Sequence, residues 1–400
     1  MRHAVVTLLA LLCLTATAAS AQGVAVPPFE RAVLPNGLTL ITMPRSDVPL
    51  VGFAAIVRGG AAADPEGGAG VASLTAGLLE RGAGARSAFE FADTVEGAGG
   101  SFSASAGAEA IFVSGTFLAR SSDLMIGLLA DALLRPRFEQ DEFVRLRDRQ
   151  IELIRAAKDR DPSQLLRVYG RALLFAGHPY GSPEAGSERS LAALGRDDVL
   201  AYYAANFGAD RVTLVVTGDI ETQRIRAAVE RAFAGWGPAA GPTPPLPEPA
   251  RASGRRVLLV DLPGAAQTYF WLANVGVPRA HPGRAALDVV NTVYGGRFTS
   301  ILNTELRVKS GLSYGAASGF TRGTVAGEFA IRSFSATENT GAAIDLALET
   351  LAALKRDGIP DELLASGRSY ILGQYPLQLE TSQHWAAALA ELELYRLGPE

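Results

Sequence analysis

Beyond residue 21 the chain holds three histidines, His178, His281 and His384, and none has a second histidine four positions away. Residues i and i+4 share one helical face, which is how a single helix offers two imidazoles to one zinc ion. No H-E-x-x-H or H-x-x-E-H frame occurs, so that chemistry has no carrier here. No nucleophile elbow is expected, Walker A and strand-anchored G-x-G-x-x-G loops are missing too, and no nucleophile–base set is visible. His178 and His281 each precede a proline in loop-like surroundings, and His384 adjoins Trp385 in a helical stretch. All three read as structural residues.

The elements around these residues begin with a leader. Met1–Ala21 has a basic start, an apolar run from Ala4 to Ala16, and Ala19-Ser20-Ala21 as an A-x-A cleavage site, the pattern of a secretory signal. Leu12 stands before Cys13 where a lipoprotein would carry a small residue. A soluble periplasmic protein, cleaved after Ala21 and without a membrane anchor, is expected. Cys13 is the only cysteine, so the mature chain has no disulfide, thiolate nucleophile or cysteine ligand. Its stability must come from its core, which about 380 residues in two or three domains can supply. Of 37 basic residues Arg2 leaves with the leader, so 36 face 41 acidic ones, a net of −5. Only Lys158, Lys309 and Lys355 are lysines, and the arginines are scattered. No basic stripe with interleaved aromatics is present, which excludes a nucleic-acid partner.

The stretch "WGPAAGPTPPLPEPARASG" is dense in Pro and Gly and reads as a linker at 237–254. It separates an N-terminal half, 28–236, from a C-terminal half, 255–400. In the first half, Asn36-Gly37 between apolar runs signals a two-residue hairpin turn. Strands are expected at Leu50–Arg58, in "SFSASA", "EAIFVSGTFLA" and "RVTLVVTGD". Helical periodicity covers Val71–Arg81, Ser122–Leu134, Glu139–Lys158, Pro162–Phe175, Arg196–Asn206 and Glu221–Ala234. The mixture predicts an α+β fold, helices packed on an antiparallel sheet. The second half repeats part of this plan: "FEQDEFVRLRDRQIELI" resembles "IPDELLASGRSYILGQY", and "LLFAGHP" resembles "LELYRLGP". A duplicated domain follows. Its second copy carries no counterpart to 196–236, and the expectation is a domain cut short rather than naturally incomplete.

Three segments resemble the insulinase and mitochondrial processing peptidase family, the inverzincins, over essentially the whole mature chain apart from the linker. The first is "RGGAAADPEGGAGVASLTAGLLERGA", which in active members runs into a helix bearing H-x-x-E-H. Here Ser73, Ala76 and Gly77 stand at the matching positions, so both zinc histidines and the general-base glutamate are lost. The family's third ligand, a glutamate about eight residues before a proline on a later helix, falls on Ile154 counting back from Pro162. Glu152 is close in sequence but faces another side of the helix. The second segment, "HPYGSPEAGSERSLAALGRDDVLAYYAANFGADRVTLVVTGDI", follows the pattern that closes the family's N-domain.

The third, "GGRFTSILNTELRVKSGLSYGAASGF", is similar to the motif in which an arginine and a tyrosine assist catalysis, here Arg307 and Tyr314. Arg307 falls near a helix end, Gly311 permits a turn, and an extended strand resumes at Leu312, so both side chains can converge on one side. The family implies that they donate hydrogen bonds to substrate carbonyls and the developing oxyanion. A plainer reading also exists: the arginine interacts with free helix-end carbonyls and the tyrosine packs.

The resemblance therefore implies a chain with no zinc or other cofactor of its own. It would be the substrate-binding half of a heterodimeric metalloendopeptidase, paired with a zinc-bearing paralogue, acting on unfolded peptides and inactive alone. Two other readings stay open: a non-catalytic assembly subunit like the core proteins of the respiratory bc1 complex, and a self-sufficient hydrolase of another class.

Overall fold

The computed structural model describes residues 24–398, apart from residue 244. The expected signal sequence lies outside the described residues. The first half is organised around β3 (Leu50–Arg58), an apolar nine-residue strand whose two faces feed two different cores. Phe53, Ala55 and Val57 point into one, Ala54 and Ile56 into the other, the two-residue period of a pleated strand. Around it a six-stranded sheet forms in the order β1-β2-β8-β3-β7-β6. The remaining strands are β1 (Glu30–Val33), β2 (Thr39–Pro44), β6 (Ser101–Ala106), β7 (Ala110–Leu118) and β8 (Val212–Gly218). A small ribbon, β4 (Gly82–Ala83) with β5 (Arg86–Ser87), lies apart. All pairings in the large sheet are antiparallel except β2 with β8, which run parallel. The sheet is antiparallel as expected from sequence apart from that one pair, which arises because β8 comes late in the chain and slots between β2 and β3.

Helices α1 (Val71–Leu78), α2 (Ala88–Gly97), α3 (Ser122–Leu134), α4 (Gln140–Arg160), α5 (Leu166–Leu174), α6 (Glu188–Ala193), α7 (Arg196–Asn206) and α8 (Thr222–Ala232) complete this half. The first helix stops three residues short of the expected Arg81, where the chain turns into the β4–β5 ribbon. The hairpin connection is longer than two residues: Val33 pairs with Thr39, and Leu34 N donates to Leu38 O at 2.8 Å. Asn36 explains the difference, its side chain accepting from Leu38 N (3.2 Å) and donating to Phe233 O (3.0 Å).

The second half repeats the sheet's centre. β9 (Gln267–Val275), β11 (Glu328–Ala336) and β10 (Ala316–Phe320) form a three-stranded antiparallel sheet with β11 in the middle, the arrangement of β3, β7 and β6. Helices α9 (Arg284–Asn291), α10 (Thr340–Asp357), α11 (Asp361–Gln374) and α12 (Ser382–Leu394) follow the succession of α1, α3, α4 and α5. Among the described residues no strand matches β8, and the apolar run Val257–Val260 that would flank it is exposed. The linker is ordered at its start, where Ala209 N donates to Gly237 O and Gly241 N to Ala205 O, both at 2.9 Å.

Each half lends a helix to the other's sheet. Trp385, Ala386, Leu389, Ala390 and Leu394 of α12 cover Ile41, Met43, Ala54, Ile56 and Val215 of the first sheet. In return α5 crosses β9 so closely that a side chain at Gly170 would overlap the ring of Trp271. Across this junction Arg171 Nη1 lies 3.4 Å from Glu328, and Glu109 accepts hydrogen bonds from the Tyr180 hydroxyl (2.5 Å) and Thr324 N (2.7 Å). The buried Arg171–Glu328 pair and the surface Glu109–Thr324 bond thus tie the halves through directional contacts.

Candidate functional site

At the start of α1, Asp64 caps the helix, accepting from Gly70 N (2.7 Å) and Ala72 N (2.9 Å). Burial pushes its carboxyl up to about 7 despite those two donors. Ser73, Ala76 and Gly77 follow on α1, which packs against α4. Ser73 Oγ lies 3.3 Å from Gln150 Nε2, and that amide also reaches Ala185 O. Ala76 is completely buried in the core, and Leu146 of α4 occupies the space a Cβ at Gly77 would need. Ile154 is partly buried against the same core. The α4 side chain that meets Ser73 is thus Gln150, one helical turn before Ile154, and the proline count had not pointed to it. A hydroxyl, a methyl, a glycine and an amide offer a zinc ion no imidazole and no carboxylate, so the residues here do not fit the metal. Among the described residues no three His, Cys, Asp or Glu side chains group closely enough to hold one.

The second candidate locus is built on the loop between α9 and β10. Two π-helical turns shape it, Thr292–Gly296 and Thr304–Lys309. π turns are rare and concentrate at functional positions. Between them Ser300 caps the short helix Ile301–Asn303, its Oγ accepting from Asn303 N at 3.3 Å. Leu306 anchors the second π turn in the core formed by Phe270, Tyr294, Ala316 and Ile331. Arg307 follows it, with its guanidinium carbon 4.7 Å from the centroid of Phe298, a 69% exposed ring.

Gly311 turns the chain at φ +66°, a conformation costly for residues with a Cβ. Ser313 N then donates back to Leu306 O (3.0 Å), which brings the Tyr314 segment beside the Arg307 turn. Ser313 Oγ spans the turn, 3.1 Å from Gly315 N and 2.9 Å from Gly315 O, and Ser333 Oγ holds Gly315 O from β11 at 2.9 Å. On this pinned turn Tyr314 is 80% exposed. Among the described residues, neither the Tyr314 hydroxyl nor the Arg307 guanidinium is engaged in a hydrogen bond or salt bridge. Two donors thus stand on one segment, facing no acceptor among the described residues. The plain reading of a packed tyrosine and a carbonyl-capping arginine does not describe this geometry.

Gly311–Gly315 also spells G-x-S-x-G, the letters of a nucleophile elbow. Such an elbow joins a strand to a helix and exposes its serine. Here a helical turn leads into a strand, and Ser313 is buried among backbone groups and Ser333. The histidines supply no base to it: His178 accepts from Tyr180 N through Nδ1 and meets Pro247 O through Nε2 (2.7 Å). His281 Nδ1 accepts from Gly283 N, and His384 lies exposed on α12. Sequence reasoning also passed over Phe298 and Asn303, although both stand within the quoted "GGRFTSILNTELRVKSGLSYGAASGF".

Comparison with known proteins bears on both loci. Residues 44–186 match the family described as Insulinase (Peptidase family M16), and residues 193–370 match the Peptidase M16 inactive domain. An uncharacterized zinc protease of Mycobacterium leprae is 28% identical over 91% of this chain and 82% of its own length. One from Bacillus subtilis is 25% identical over 78% of this chain and 75% of its own. Among solved structures, a peptidase M16 inactive domain from Pseudomonas fluorescens superimposes with a TM-score of 0.85 at 22% identity, over 93% of this chain and 88% of that one. A protease from Helicobacter pylori gives 0.87 at 20% identity, over 93% and 90%. These two likenesses carry the fold.

Proposed function

The chain belongs to the insulinase (M16) family of peptidases, and on that premise we propose that it is the zinc-less, substrate-gripping subunit of a heterodimeric periplasmic metalloendopeptidase. The observation that carries the reading is the contrast between its two loci. The helix positions that match the zinc motif are filled by Ser73, Ala76 and Gly77 and closed by Leu146 and Gln150. The Arg307 and Tyr314 donors, by contrast, stand exposed on a segment rigidly pinned from behind. A zinc-bearing paralogous subunit would supply the metal-activated water. This chain would bind an extended, unfolded peptide and aim two hydrogen-bond donors at its carbonyl oxygens. A phenol and a guanidinium suit that task because both donate, and the guanidinium keeps its charge throughout. Donors held in place before reaction stabilise a developing oxyanion without reorganising.

The test is reconstitution with a zinc-bearing paralogue from the same genome and steady-state cleavage of a quenched fluorescent peptide. Tyr314→Phe keeps the ring and removes the hydroxyl. It should lower kcat by about 10²–10³, the loss typical of one oxyanion donor, with the complex still forming. If kcat stays within about threefold, far below such donor losses, the pair is not catalytic and the assembly-subunit reading replaces this one.

A further inference from the structure

We propose that Asn303 is the positioning residue that fixes Arg307 and Tyr314 relative to each other; this rests on the functional reading above. Asn303 is buried at 3% exposure, between the two halves of the loop. Its Nδ2 donates to Phe298 O at 2.7 Å, holding the residue whose ring lies under the Arg307 guanidinium. Its Oδ1 accepts from Ala316 N at 3.1 Å, two residues beyond Tyr314 at the start of β10. One amide therefore grips the loop that supports the arginine and the start of the strand that follows the tyrosine's turn. The π turn bearing Arg307 begins at the next residue, Thr304.

The residue type follows from this geometry. The position needs a donor and an acceptor together on a short side chain, which asparagine supplies. Aspartate has the shape but no donor when ionised, and leucine has neither group. Phe298 is the second part of the device. Its ring, 69% exposed, is a platform that restrains a guanidinium with no hydrogen-bond or salt-bridge partner among the described residues.

Three variants test this in the reconstituted pair with the same fluorescent peptide. Asn303→Ala removes both bonds. It should lower kcat by about 10²-fold, the scale of an ångström misplacement of catalytic groups, with KM little changed. Added to Tyr314→Phe with Arg307→Ala it should cost almost nothing more, because a residue that acts through those two has nothing left to position. Asn303→Asp keeps the acceptor and should recover activity towards acid pH, where its protonated carboxyl regains a donor. Phe298→Leu sits at the surface and folds regardless. It should lower kcat in the parent and much less in the Arg307→Ala background.

Amide hydrogen exchange in the isolated chain reads the same role without activity. Peptides spanning 298–316 should exchange faster in Asn303→Ala while those of 382–394 do not. Unchanged exchange over 298–316, or a kcat loss fully additive with the Tyr314 and Arg307 changes, overturns the proposal. A parent pair that cleaves no peptide would remove the functional reading, and the exchange data would still decide whether Asn303 holds the two segments.

Discussion

The junction between the halves offers a quantitative test in Arg171. Its side chain is 9% exposed and that of its partner Glu328 is 3% exposed. At 3.4 Å and an effective dielectric of about 20, such a pair attracts by about 5 kcal/mol. Desolvation of both ions offsets much of that, so the pair itself adds little net stability. Removing one partner is a different matter, because the other stays buried and charged, at a cost of about 3–5 kcal/mol. Arg171→Met keeps an aliphatic side chain and removes the guanidinium, which lies over Phe175 and Tyr180 and donates to Tyr180 O. Arg167, 3.6 Å from Glu328 and half-exposed, remains to compensate in part, which places the expected loss near the lower bound, about 3 kcal/mol. Urea unfolding followed by tryptophan fluorescence and circular dichroism measures it, Trp271 being in contact with α5. The double change Arg171→Met with Glu328→Leu should recover most of the loss, since it leaves no orphaned charge. A single-variant loss below about 1 kcal/mol, the range of exposed pairs, or a double variant worse than the single one, would refute the reasoning.

Asp64 sets a pH dependence. Its folded carboxyl, raised to about 7 by burial, holds a proton between about pH 4 and 7 that the unfolded chain releases. The stability it contributes is present below that window and lost as pH rises through 7; thermal unfolding of Asp64→Asn should show a flatter profile there, and an unchanged profile would refute the assignment. Limited trypsin digestion should cut first at Arg251 or Arg255, in the fully exposed stretch 250–264. The two fragments should co-elute until denatured, because α5 and α12 cross between them. Metal analysis of the purified chain should find far less than one zinc per chain, and a full tightly held equivalent would overturn the reading of Ser73, Ala76 and Gly77.

Strong local periodicity made β3, β7, β8 and the long helices legible from sequence, since each buries a face wide enough to leave a pattern. In the first half the missed elements were short, whereas in the second half β9, β11 and the 18-residue α10 had no individual expectation. α2 carried a readable signal, Ser87 with Glu90 three residues on, and the structure shows the reciprocal capping box. The hairpin turn was misjudged because Asn36 spends its side chain on Leu38 and on the distant Phe233. Which sheet a helix covers is not written in its own periodicity: α5 and α12 show apolar faces, but only the tertiary fold assigns them to opposite halves. At the site, Arg307 and Tyr314 were marked out by the resemblance of their segment to the insulinase family. Asn303, Phe298 and Ser333 work through backbone carbonyls and ring stacking, contacts that no spacing rule announces. Gln150 escaped because the count from Pro162 falls a turn away from the side chain that meets Ser73.

The crossed helices also bear on how such a molecule could arise. A single repeat standing alone would leave Ile41, Met43, Ala54, Ile56 and Val215 bare on one face of its sheet, with its own α5 projecting from it. Two identical repeats could cover each other by trading that helix about a two-fold axis, a swapped homodimer. Joining the genes would turn that encounter into an intramolecular one at millimolar effective concentration, the gain expected of a short tether. Once fused, the two copies no longer needed to be alike. One could lose its metal ligands and the other keep a donor pair, while the reciprocal helices still obliged them to fold as a single unit.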